Sequence, residues 1–73
     1  MLAFTVDFPG QEGIRIAYCV RSRDQAVRLS KALNGADIHL VDVTDREIIA
    51  YLLSEEADAE AERIIARVIK RKN

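Results

Sequence analysis

Two alternating runs of apolar and polar residues, separated by five turn-forming residues, set the strongest limit on how this chain can fold. Leu2, Phe4, Val6 and Phe8 alternate with Ala3, Thr5 and Asp7, and Ile14, Ile16, Tyr18 and Val20 alternate with Arg15, Ala17 and Cys19. Side chains in a strand point to opposite faces in turn, so each run presents one apolar and one mixed face. Between them, Pro9-Gly10-Gln11-Glu12-Gly13 has the composition of a turn, and the pair reads as an antiparallel hairpin. A hairpin alone is marginal in water. The rest of the chain must therefore cover its apolar face.

The following residues supply that cover. Ser22-Arg23-Asp24-Gln25 has the spacing of a capping box, with the Ser22 hydroxyl accepting from the Gln25 N–H and the Gln25 side chain reaching back. Ala26, Leu29 and Leu33 then fall on one helical face, with Val27 at its edge, and Asn34-Gly35 gives a left-handed stop. Asp37 to Val43 reads as a third strand. Its apolar residues Ile38, Leu40, Val41 and Val43 fall on both faces, predicting a strand more enclosed than the hairpin.

Thr44-Asp45-Arg46-Glu47 forms a second capping box, with Val43 and Ile48 at the positions of a hydrophobic staple. Ile48, Ile49, Leu52 and Leu53 line the helix it starts. Ser54-Glu55-Glu56 reads as another N-cap, opening a helix that carries Ala57, Ala61, Ile64, Ile65, Val68 and Ile69. At 100° per residue the stripe over residues 48–53 lies about 150° from the stripe over 61–69. One straight helix would bury nearly opposite faces, so a break near Ser54 is predicted.

The fold class is therefore α+β, a two-layer ββαβαα chain with a three-stranded sheet packed by helices. Short connections around the first helix make strands two and three parallel to each other. Placing strand three beside strand one leaves every neighbouring pair antiparallel, and this arrangement is preferred over strand three beside strand two. At 73 residues the chain has room for one domain, residues 1–73.

Composition narrows the function. The chain is 49% hydrophobic and 32% charged with a net charge of −1, ordinary for a folded domain and without a global field for nucleic acid or anionic lipid. No apolar run approaches the roughly 18 residues of a membrane span. Cys19 is the only cysteine, which excludes an internal disulfide and a cysteine-based zinc site. The N-terminus lacks a basic stretch ahead of an apolar one, so a cytoplasmic protein is expected.

No residue set composes a catalytic, cofactor or metal motif, and none of the three is expected. His39 stands among Asp37, Asp42 and Asp45, but alternation puts Asp42 on the face opposite Asp37 and His39. Asp45 suits the first turn of the next helix. Cys19 and His39 share a parity, the basis of a third reading as a small thiol enzyme. Gly10, Gly13 and Gly35 lack the spacing of a phosphate loop.

What stands out is surplus apolar helix. Three amphipathic stripes exceed what one face of a short sheet can cover, and the other face is lined by Ala3, Thr5, Ala17, Cys19, Val41 and Val43. The expected function is a small non-enzymatic protein-binding module, an adaptor, inhibitor or regulatory factor. It would bind a protein partner or form a homodimer through Ile65, Val68 and Ile69 of the last helix, rimmed by Arg67 and Lys70. The alternative is a nucleic-acid-binding regulator that uses the basic C-terminal tip with Arg21, Arg23 and Arg28.

Overall fold

A computed structural model of the protein describes residues 1–72, the side chains of Gln11 and Lys72 aside. The elements follow the order strand, strand, helix, strand, helix, helix: β1 (Leu2–Pro9), β2 (Arg15–Val20), α1 (Arg23–Ala32), β3 (Ile38–Asp42), α2 (Arg46–Leu52) and α3 (Glu55–Lys72). The sheet order is β2-β1-β3, and both neighbours run antiparallel to β1. Strand three thus lies beside strand one, as the preferred arrangement has it.

The hairpin closes on Gly10. Its N–H donates to the Ile14 carbonyl at 2.7 Å, and a Cβ at position 10 would collide with that same carbonyl oxygen. Pro9 belongs to β1, and Gln11–Gly13 forms a tight turn in which Glu12 and Gly13 take left-handed φ of 57° and 79°. Cross-strand partners Phe4 and Val20, Val6 and Tyr18, Phe8 and Ile16 share one face. The helices pack on this face, and Val6, Val20, Ala26, Leu29, Ala61 and Ile65 form the core. Val6 and Leu29 are sealed from solvent.

α1 is capped as expected at one point and not at the other. Ser22 Oγ accepts from the Gln25 N–H at 3.3 Å. The Gln25 side chain does not turn back to Ser22; its Nε2 donates to Asp58 at 2.7 Å and to Glu62 at 2.9 Å. Two carboxylates attract an amide donor more strongly than one backbone N–H needs an acceptor. Arg28 adds a two-pronged pairing to Glu62, at 2.7 Å and 2.6 Å. Because Gln25 meets Asp58 while Arg28 meets Glu62, α1 and α3 run in the same direction. Asn34 and Gly35 end α1 at φ 62° and 82°, and the Gly35 and Ala36 N–H groups return to the Ser30 carbonyl.

Two sequence expectations fail here. β3 is not enclosed: it is an edge strand, and of its five residues only Val41 is even half-buried. Its apolar residues on both faces are left largely uncovered at the sheet edge. The cap of α2 is Asp45, not Thr44; Asp45 accepts from the Glu47 and Ile48 N–H groups at 2.9 Å and 3.2 Å. A carboxylate at this position also complements the positive end of the helix, and Ile48, at the staple position, is exposed. The break near Ser54 is present, with Ser54 Oγ accepting from the Ala57 N–H at 3.2 Å to start α3. No helix among the described residues is long and apolar enough to cross a membrane.

Candidate functional site

The last helix divides the partner-binding residues expected from its sequence. Taking Ala61 as zero, 100° per residue places Ala57, Ala61 and Ile65 on the inward arc of α3, and all three are buried. Ile65 is only 3% exposed and belongs to the core. It is withdrawn from the binding surface, because α3 lies beside α1 over the sheet and Ile65 fills the seam. Val68 is half-buried, and Arg67, Ile69 and Lys70 are exposed.

Val68 opens onto a groove of about 290 Å³ between α3 and the hairpin. Its floor is Phe8, Ile16 and Tyr18 from the sheet, and its wall is Ile64, Arg67, Val68 and Arg71 from the helix. Ile16 is 53% exposed. Phe8, Tyr18, Ile64 and Val68 pack partly against the core, so the groove is an outward continuation of it. Burial pushes the Tyr18 phenol pKa up, and the charge of Glu60 adds to the rise. Tyr51 caps this side from α2, its hydroxyl donating to Glu60 at 2.7 Å; that bond pushes its own pKa up to about 12.

The groove borders a free strand edge. The Asp7 N–H donates to Asp37 and the Gly10 N–H to Ile14, so odd residues of β1 bond towards β3 and even residues towards β2. In an antiparallel ladder opposed residues exchange both bonds. The inward bonds of β2 therefore belong to Ile16, Tyr18 and Val20, and the N–H and C=O groups of Arg15, Ala17 and Cys19 face outward from the edge. Such an edge is a pairing template unless charge or proline blunts it, and Arg15 is the only charge on β2.

The charges around the site are unevenly committed. Arg28 is held by Asp24 and Glu62, which takes it out of the basic surface that a nucleic-acid reading requires. The paired guanidinium and the Gln25 amide hold the Glu62 carboxyl down to about 2. Among the described residues no ion pair engages Glu56, Arg67 or Arg71.

On the opposite sheet face Ala3 is buried and Thr5, Cys19 and Val41 are half-buried. Thr5 is the cross-strand partner of both Cys19 and His39, so the central strand separates them, by about 10 Å at Cα from strand spacing. The nucleophile and base of a thiol enzyme are not brought together, and burial pushes the Cys19 thiol up, away from the reactive thiolate. His39 instead meets Asp7 at 3.7 Å. Asp7, Asp37 and His39 bring ligand atoms within 4.8 Å of one another, and they are the residues that could hold a metal ion among those described. Asp7 was the missing member in the sequence: only the β1–β3 register places it beside Asp37. Asp42 lies on the other face and meets the N-terminal amine at 3.1 Å.

A broader depression of about 540 Å³ lies between the hairpin turn and the loop after α1. Among the described residues no buried polar side chain lacks a partner there or elsewhere. The sequence reading also missed Phe8, Ile16, Tyr18 and Arg71 as groove residues, whereas Ile64 belongs to the apolar stripe it marked on the last helix. Arg71 was recoverable, one turn beyond Arg67 on the same helix face. No family model, curated protein or solved structure matches this chain.

Proposed function

We propose that this protein is a small non-enzymatic protein-binding module whose binding surface is the groove between α3 and the hairpin. The observation that carries the reading is the combination at that groove of uncovered apolar side chains and uncommitted cations. Ile16 is largely exposed beside half-buried Phe8, Tyr18, Ile64 and Val68, while Arg67 and Arg71 stand at the rim with no ion pair among the described residues. Apolar surface of this kind, rimmed by charge, favours a protein segment that presents apolar side chains flanked by acids. Ile65 of the expected set takes no part, and Ile69 and Lys70 lie outside the groove lining.

The reading is tested by comparing the proteins captured from host extract by the wild type and by Ile16→Asp, each captured protein then being purified and titrated. Ile16 is exposed, so the variant retains the fold. A purified partner that binds the wild type and loses at least about tenfold in affinity to the variant supports the groove. Equal binding to both proteins sinks it.

A further inference from the structure

We propose that the groove is occupied by a second copy of this chain, through a two-fold interface in which α3 packs antiparallel on α3 of its partner; this rests on the groove being a binding surface. The arrangement of charge along α3 selects this occupant. At 100° per residue, Glu56, Glu60, Arg67 and Arg71 fall within one sector of about 60°. Asp58 and Glu62, which hold α1, lie about 170° away by the same geometry. The charged stripe therefore faces away from α1: Arg67 and Arg71 line the groove, and Glu56 and Glu60 continue it towards α2, where Tyr51 meets Glu60.

Within one copy this stripe is unfavourable. Glu56 and Glu60 are like charges four residues apart, and so are Arg67 and Arg71, an arrangement that weakens an isolated helix. The helix dipole accounts for acids at the start of α3 and bases at its end. It does not require them on one side, where Glu60 meets only the Tyr51 hydroxyl and no ion pair among the described residues engages any of the four.

An antiparallel second copy removes both problems. A two-fold axis midway between Arg63 and Ile64 sets Glu60 against the partner's Arg67 and Glu56 against the partner's Arg71. Both pairs share that one midpoint, so a single axis satisfies them, and symmetry repeats each pair. Ile64 then lies at the centre, with the exposed Ile16 and the half-buried Tyr18 and Val68 beneath it. Apolar contact at the centre and charge at the rim is the usual anatomy of a protein interface. The seam over residues 56–71 is about 24 Å long, short of a standard interface, so a reversible dimer with a dissociation constant of about 10–100 μM is expected.

Charge exchange provides the test, read by sedimentation equilibrium with circular dichroism as the check on folding. Arg67→Glu/Arg71→Glu makes the stripe wholly acidic, and Glu56→Arg/Glu60→Arg makes it wholly basic. Each variant alone is expected to stay monomeric at concentrations where the wild type dimerises, while an equimolar mixture forms a heterodimer at least about tenfold tighter than either self-association. A wild type that remains monomeric at about 1 mM overturns the second copy as occupant, and leaves the groove to be tested by the Ile16→Asp comparison. A wild-type dimer that both variants preserve overturns the antiparallel α3 seam. Glu56→Arg alone, which leaves the Tyr51–Glu60 bond in place, supplies the weakening half of the test if the double variant unfolds.

Discussion

Replacing Gln25 by Glu changes one amide nitrogen to oxygen and should be among the most damaging conservative substitutions in the molecule. Gln25 is 5% exposed, and its amide donates to Asp58 and to Glu62 across the α1–α3 seam. A carboxylate there removes both charge-assisted bonds and sets a third negative charge against two existing ones. Bonds of this type contribute about 1.5–3 kcal/mol each when well shielded. Asp58 is exposed and Glu62 half-buried, so the combined loss at neutral pH is put at about 2–3 kcal/mol after allowing for solvent screening. Total stability for a domain of this size is about 4–11 kcal/mol, so the loss is easily measured.

The sign of its pH dependence follows from the same contacts. Burial and two neighbouring carboxylates raise the pKa of the introduced Glu in the folded state above its unfolded value. The deficit relative to wild type is therefore small below about pH 4 and grows as pH rises. Urea unfolding at pH 7 and pH 4, followed by circular dichroism, reads both quantities. Gln25→Met, which removes the bonds without adding charge, should lose about 1 kcal/mol with little pH dependence. A Gln25→Glu protein within about 0.5 kcal/mol of wild type at pH 7, or a deficit that does not narrow on acidification, would refute the reasoning.

Glu62→Gln should cost about 1 kcal/mol at neutral pH, the Glu62 carboxylate being 44% exposed and thus well screened. Its folded pKa is held at about 2, from 4.5, so its contribution is present above pH 4.5 and fades as pH falls towards 2; paired acid titrations of the two proteins show this. Leu29→Ala, at a position sealed from solvent, should lose about 3 kcal/mol in urea unfolding. Gly10→Ala forces the hairpin turn off the Ile14 carbonyl and should lose about 1–3 kcal/mol. Earlier exchange of the position-10 amide with deuterated water than in the wild type would accompany that loss.

Much of the fold was legible because its local signals agree with one another. The period-2 runs of residues 2–8 and 14–20, the cap at Ser22, the stop at Asn34-Gly35 and the phase conflict near Ser54 each have one local physical cause. What was not legible depends on which element becomes an edge. Apolar residues on both faces of 38–43 read the same in a central strand and in a partly exposed one, and only the order β2-β1-β3 separates the two cases. Gln25 illustrates the same limit: three residues from Ser22 it reads as a capping partner, yet α3 offers it two carboxylates that no local pattern announces.

The site was legible in outline only. Helical periodicity marked Ile64, Ile65, Val68 and Ile69 as one apolar group, but docking beside α1 buries Ile65 and leaves Ile69 47% exposed. The floor of the groove comes from Phe8, Ile16 and Tyr18, which the sequence assigned wholly to the core. Ile16 remains open because β2 is an edge strand and α3 does not close over it. Asp7, Asp37 and His39 likewise meet only through strand register.

The surface itself is tested most directly by amide chemical shifts recorded along a dilution series of the wild-type protein. Shifts that depend on concentration should cluster at Ile16, Tyr18, Ile64, Arg67 and Arg71, while those of Leu40 on β3 and Thr5 on the central strand stay constant. Concentration-dependent shifts confined to β3 or the opposite sheet face would place the interface elsewhere, and a series with none would contradict self-association through this groove.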